Sequence, residues 1–258
     1  MSKKSRLHIF CLLCLLIPAG LAAQDSTSVD KDMDALRKYH SVLAVANKGL
    51  ELVAAKEWDA AAKQFGRCLE ILPDHPNACY GRAVISNQAG DVPQALDWIE
   101  KAEKGCLSLQ RVWERQRTNW LSMSKDDEKR LRELATQNIG GNVNSLACTT
   151  VDRAYETKKT GRATNDVIAD EASPFAVPAE FLALHGNLLF KSKRLPEAEA
   201  RYLEALAVEP AHERCLNNLV NIYFTTRRFA LAREWLDKAA RFKVKVNPNL
   251  EKAVREAR

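Results

Sequence analysis

The sequence predicts an all-α protein, a right-handed α-solenoid of helical hairpins with a degenerate middle region. Three observations carry this reading. First, a step of 34 residues relates two pairs of segments: Gly49 recurs as Ala83, Ala61 as Ala95, Phe65 as Ile99 and Cys68 as Ala102. Gly186 recurs in the same way as Val220, Ala198 as Ala232, Tyr202 as Leu236 and Ala205 as Ala239. Second, each copy spaces its small residues as a hairpin requires, because two helices cross closely only where one offers a small side chain. Third, apolar residues recur at helical spacing, as in Leu182, Leu189, Leu195, Tyr202 and Leu206, and no stretch shows sustained strand alternation. A lone hairpin cannot bury its apolar face, whereas stacked copies cover one another.

These residues resemble the tetratricopeptide repeat. Copy 179–212 carries the family's pattern at Gly186, Ala198, Tyr202, Ala205 and Pro210. Copy 42–75 carries it at Gly49, Ala61, Phe65 and Pro73, with Cys68 in place of the usual alanine. Copy 76–109 keeps Ala83, Ala95 and Ala102 without the closing proline, and copy 213–246 keeps Tyr223, Ala232 and Ala239 with Val220 at the small position. The resemblance implies a protein-interaction module whose first helices line a groove for an extended peptide or a partner helix.

Read from the start, Lys3, Lys4 and Arg6 precede an apolar run from Leu7 to Ile17, then Pro18 and small residues ending at Ala22 and Ala23. This is the pattern of a secretory signal peptide over 1–23, and the run falls well short of the roughly 20 residues of a membrane span. The protein is expected to be exported to the periplasm or envelope of a bacterium and soluble after cleavage. Cys11 and Cys14 lie inside that run and carry no redox or zinc reading. Five other cysteines, Cys68, Cys79, Cys106, Cys148 and Cys215, leave at least one unpaired. Cys68 sits at a packing position and reads as a buried apolar side chain. A Cys106–Cys148 bridge is conceivable.

Residues 24–109 are expected to hold an N-terminal helix, extended over Asp30 to Lys56, followed by copies 42–75 and 76–109. At the ends of first helices stand Lys56, Gly90, Lys193 and Arg227; glycine suits a left-handed C-cap and a cation suits the helix carbonyl end. His75 and His212 fall at the same point of two repeats and read as solvated turn residues. The region 110–178 reads as degenerate repeats with a long loop: Trp113 and Trp120 in a first helix, then helices over Asp126 to Asn138 and Asn144 to Lys158. Copies 179–212 and 213–246 follow, and Asn247–Pro248 opens a capping helix within 179–258.

Charge restricts function little. The chain carries 39 basic and 33 acidic residues, net +6, and removing Lys3, Lys4 and Arg6 leaves +3. From Arg227 to Arg258 there are ten basic and four acidic residues, a distribution open to an acidic partner or an anionic membrane. Nucleic acid is not an expected partner of an exported chain. No spacing of cysteine and histidine forms a metal site, no cofactor is implied, and no nucleophile, base and orienting group occur together. Asp166, Asp170 and Glu171 read as loop acids, so an enzyme is not expected.

The candidate groove residues are Asn77, Tyr80 and Asn87 in copy 76–109, Asn187 and Phe190 in copy 179–212, and Arg214, Asn217, Asn221 and Phe224 in copy 213–246. Asn187 and Asn221 are equivalent, and an amide can donate to and accept from a peptide backbone at once. Arg214 suits a carboxylate. The set lacks several lysines of the family's carboxylate clamp. The reading is a non-catalytic scaffold of the cell envelope binding a protein or peptide; the alternative is an outer-membrane tethering factor whose basic C-terminal end meets the membrane.

Overall fold

Small residues decide where these helices cross. The protein is represented by a computed structural model that describes residues 26–121 and 173–257. Among the described residues all regular structure is helical: α1 (Ser26–Ala54), α2 (Trp58–Ile71), α3 (Pro76–Gln88), α4 (Val92–Leu121), α5 (Ala179–Lys191), α6 (Leu195–Val208), α7 (Glu213–Thr225), α8 (Phe229–Arg241) and α9 (Pro248–Glu256). The leader at 1–23, Cys148, and the helices expected over 126–138 and 144–158 lie outside the described residues.

The chain divides into two compact units, Met1–Ser41 with Leu107–Ala176, and Val42–Cys106 with Val177–Arg258. In the first, Leu36, Leu109, Val112, Trp113 and Phe175 are buried. Tyr39 meets Phe175 edge-on, with ring centroids 5.2 Å apart.

The second unit holds the hairpins. Ala61, Phe65 and Cys68 are buried along α2, Ala95, Ile99 and Ala102 along α4, Ala198, Tyr202 and Ala205 along α6, and Ala232, Leu236 and Ala239 along α8. Every position that the repeat reserves for packing is thus inside. Gly186 faces the Tyr202 ring so closely that a Cβ there would lie 2.6 Å from Tyr202 Cε1. The Phe65 ring lies against Gly49 of its own copy and also against Gly81 of the next. One aromatic therefore locks two repeats.

The turns follow one pattern. Lys56, Gly90, Lys193 and Arg227 have φ values of 63°, 82°, 62° and 58°, the left-handed conformation expected at these C-caps. Paired backbone bonds close each one: Lys193 N–H donates to Phe190 O at 3.0 Å and Arg194 N–H to Leu189 O at 3.0 Å. Lys243 repeats the device at the end of α8 with φ 58°.

The turn histidines, expected to be solvated, are caps, and only His212 keeps part of its surface in solvent. His75 is fully buried, and its Nδ1 accepts from Ala78 N–H at 3.4 Å. His212 Nδ1 accepts from Cys215 N–H at 3.3 Å. Each caps the first helix that follows it, meeting an amide that no intrahelical carbonyl reaches. Cys68, Cys79, Cys106 and Cys215 are free thiols, all buried.

The order of stacking departs from the order of the sequence. Helix α5 lies against α3, so copy 179–212 follows copy 76–109 in space although residues 110–178 separate them in the chain. Tyr80 stacks on Phe181, with centroids 4.4 Å apart and planes 6° from parallel. Most of the region expected to hold degenerate repeats between these copies, residues 122–172, lies outside the described residues. Helix α4 runs on past the repeat boundary to Leu121 instead of stopping near 109.

Candidate functional site

The first helices α3, α5 and α7 run side by side and parallel. Their register is fixed by contacts near both ends: Tyr80 with Phe181 at one, and Lys191 Nζ donating to Asn87 Oδ1 at 2.7 Å at the other. Asn218 Nδ2, on α7, donates to Asn187 Oδ1, on α5, at 2.7 Å. The candidate residues therefore do fall on one row of helices, but they are not chemically alike.

Asn187 is engaged inside the stack. Its Oδ1 accepts from Tyr202 Oη–H at 2.8 Å as well as from Asn218, whose Nδ2 also lies 3.0 Å from Tyr202 Oη. Only the amide nitrogen of Asn187 remains to meet a ligand. Asn221, one repeat on, is half-buried and keeps its side-chain amide clear of this triangle. The reason lies in the second helices: Tyr202 recurs as Leu236, which has no hydroxyl to offer. The expected ladder of equivalent asparagines is thus broken at its first rung. Burial pushes the Tyr202 phenol well above its ordinary pKa, so it stays a donor.

Asn217 is likewise structural. Its Nδ2 donates to Glu213 O and to Lys245 O at 3.1 and 3.0 Å, and its Oδ1 accepts from Asn247 N–H at 3.1 Å. This side chain ties α7 to the connector that precedes α9. Asn77 Nδ2 reaches Asn47 Oδ1 at 3.4 Å, joining α3 to α1. Asn87 accepts from Lys191, and Tyr80 gives one face to Phe181; burial raises its pKa.

What remains open to a ligand is more apolar than the sequence suggests. Phe190 and Phe224 are half-buried at the margin of the core, and Phe224 lies 5.8 Å from Phe229 between ring centroids. Arg214 is exposed on a shallow cleft of about 420 Å³ that Asn217, Asn218, Lys245 and Pro248 also line. Among the described residues no group of three or more metal-type ligands occurs.

Two polar clusters escaped the sequence reading. Glu103 Oε1 on α4 lies 2.8 Å from His185 Nδ1 on α5, both buried, with Arg201 3.7 Å from the other carboxylate oxygen. Glu199 on α6 takes Arg228 at 2.6 Å and Tyr223 Oη–H at 2.9 Å. Burial and this bond to a carboxylate push the Tyr223 phenol up to about 12. Both clusters cross a boundary between repeats, so they fasten the row rather than open it.

The tetratricopeptide repeat family pattern matches residues 47–106 and 184–243. No curated protein sequence matches the chain. Among solved structures, pilF of Pseudomonas aeruginosa is 13% identical with a TM-score of 0.37, covering 84% of this chain and 82% of its own. A thermophilic TPR protein of Thermus thermophilus is 19% identical, TM-score 0.35, covering 84% and 98%. The type IV pilus biogenesis factor PilW is 15% identical, TM-score 0.39, covering 84% and 87%. The protein is thus an all-α repeat protein whose two hairpin pairs, at 47–106 and 184–243, match the tetratricopeptide repeat pattern.

Proposed function

We propose that this protein is a non-catalytic scaffold that holds a peptide or a partner's helix along α3, α5 and α7. One observation carries the reading: three parallel first helices are fixed in register by Tyr80–Phe181, Asn87–Lys191 and Asn187–Asn218, and beside these contacts stand half-buried Phe190, Asn221 and Phe224. A rigid row of aromatic rings and one unengaged amide suits an extended ligand, because the order is present before binding. Asn187 contributes by donation alone, and Asn221 both donates and accepts. The proposed compartment, the bacterial cell envelope, rests on the leader pattern of residues 1–23.

The test is site-specific photocrosslinking in cells from Phe224, with the captured partner identified and then purified. Asn221→Ala should weaken binding of that purified partner at least tenfold while leaving helicity and the unfolding midpoint unchanged, and Phe224→Ala should weaken it as much with helicity retained and a lower midpoint. Binding unaffected by either substitution removes the groove.

A further inference from the structure

The outer side of α8 differs from the same side of α6, the second helix of the preceding copy. Leu231, Trp235, Lys238 and Phe242 follow one another by four, three and four residues and so share one face. Leu231 is 36% and Phe242 46% exposed, and Trp235 is half-buried. One repeat earlier the same positions hold Glu197, Arg201, Glu204 and Val208, a face dominated by charge. Neither Leu231 nor Phe242 belongs to the buried cluster of the hairpin, whose interior is filled by Ala232, Leu236 and Ala239.

The charges around the stripe are mostly of one sign. Arg241, Lys243 and Lys245 are exposed in the turn that carries Phe242, and Arg227 is exposed just before α8. Among the described residues none of these four side chains takes part in an ion pair, whereas Arg228, Arg255 and Lys252 do. Lys238 lies 3.9 Å over the Trp235 ring and pairs with Glu234 at 2.8 Å, so that acid is neutralised. Asp237 falls away from the stripe by helical spacing. Val244 and Val246 turn inward to the core between the lysines, which leaves the ammonium groups outside.

We propose that this face, Leu231–Trp235–Phe242 with Arg227, Arg241, Lys243 and Lys245, docks on an anionic lipid bilayer. An apolar stripe with an aromatic at its edge enters the headgroup region, and cations without protein partners meet lipid phosphates. The face is centred on a second helix; Lys245 also borders the cleft of Arg214, but Asn221 and Phe224, on which the groove test rests, lie outside the face, so either assignment can fail alone.

The experiment is co-sedimentation of the full chain with phosphatidylcholine vesicles, with and without phosphatidylglycerol, at low and high salt. The apolar run Leu7–Ile17 is common to all variants, so differences between variants report on α8. The wild type should bind the anionic vesicles more tightly, and salt should weaken that gain. Arg241→Gln with Lys243→Gln and Lys245→Gln should lower anionic-vesicle affinity on the order of a hundredfold. Leu231→Gln with Phe242→Gln should lower it about tenfold or more, with circular dichroism and melting unchanged in both variants. Equal binding to neutral and anionic vesicles, or unaltered binding by the triple-Gln variant, overturns the proposal. So does a wild type that ignores vesicles but self-associates through the stripe by light scattering, or that binds single-stranded RNA instead.

Discussion

His185 Nδ1 on α5 lies 2.8 Å from Glu103 Oε1 on α4, buried, at the joint where copy 179–212 meets copy 76–109. A buried carboxylate is tolerated only when partnered, and here the imidazole and the more distant Arg201 guanidinium are its partners. The contact spans the one repeat boundary that the sequence interrupts, so no local pattern enforces it. It identifies the pair of copies that belong together.

Removing one partner strands the other. Glu103→Ala should lower stability by about 3 kcal/mol, seen as a lower urea midpoint. Glu103→Gln, which can still accept from an imidazole N–H, should lose about half of that. If both substitutions leave the midpoint in place, the joint is held by apolar packing alone.

Lysine and arginine in the left-handed conformation carry steric strain that glycine does not. Lys193→Gly and Arg227→Gly should each stabilise the protein by about 1 kcal/mol, because both side chains are exposed and, among the described residues, unpaired at φ 62° and 58°. Gly90→Ala, at φ 82°, should destabilise it by about the same amount. Thermal melts of the three variants check both signs.

Close approach sets a different glycine apart. A Cβ on Gly105 would fall on the carbonyl oxygen of Asp74, a backbone atom in the turn between α2 and α3. Gly105→Ala should therefore cost about 2–3 kcal/mol. At Gly186 the obstacle is the Tyr202 ring, a side chain locked in its own bonds, and Gly186→Ala should cost about 1–2 kcal/mol. Chemical denaturation ranks the two, and the backbone clash should be worse.

The four thiols should be inert in the native state. Burial pushes Cys68, Cys79, Cys106 and Cys215 from 9.0 up to about 12, so almost no thiolate exists near neutral pH. With Cys11, Cys14 and Cys148 replaced by Ser, labelling by Ellman's reagent should proceed at the rate of unfolding. The same shift sets a pH dependence. Above about 9 the unfolded chain releases these protons while the folded chain retains them, so stability falls as pH rises toward 12. Tyr202 and Tyr223, also raised, add to the same alkaline trend. A urea midpoint unchanged between neutral and strongly alkaline pH would contradict this.

Much of the fold was legible because the repeat writes its packing in sequence: a small residue, then an aromatic, at fixed spacing. Gly49 with Phe65 and Gly186 with Tyr202 are such pairs, and the left-handed caps at Lys56, Gly90, Lys193 and Arg227 follow from position alone. The candidate groove was legible only as a row of helices. Which amides are engaged depends on the neighbouring copy, and Asn218, the residue that immobilises Asn187, stood outside the pattern being read. The exchange of Tyr202 for Leu236 was visible, but its meaning required knowing that the hydroxyl turns toward Asn187. The histidine caps were missed because histidine is an uncommon residue in that role. Glu103–His185 was hidden for another reason, since 110–178 read as degenerate repeats standing between the two copies.

Cys106 and Val177 border the same apolar cluster, so the chain departs from the row and rejoins it at one spot. A detour that starts and finishes at a single joint places no demand on its own length.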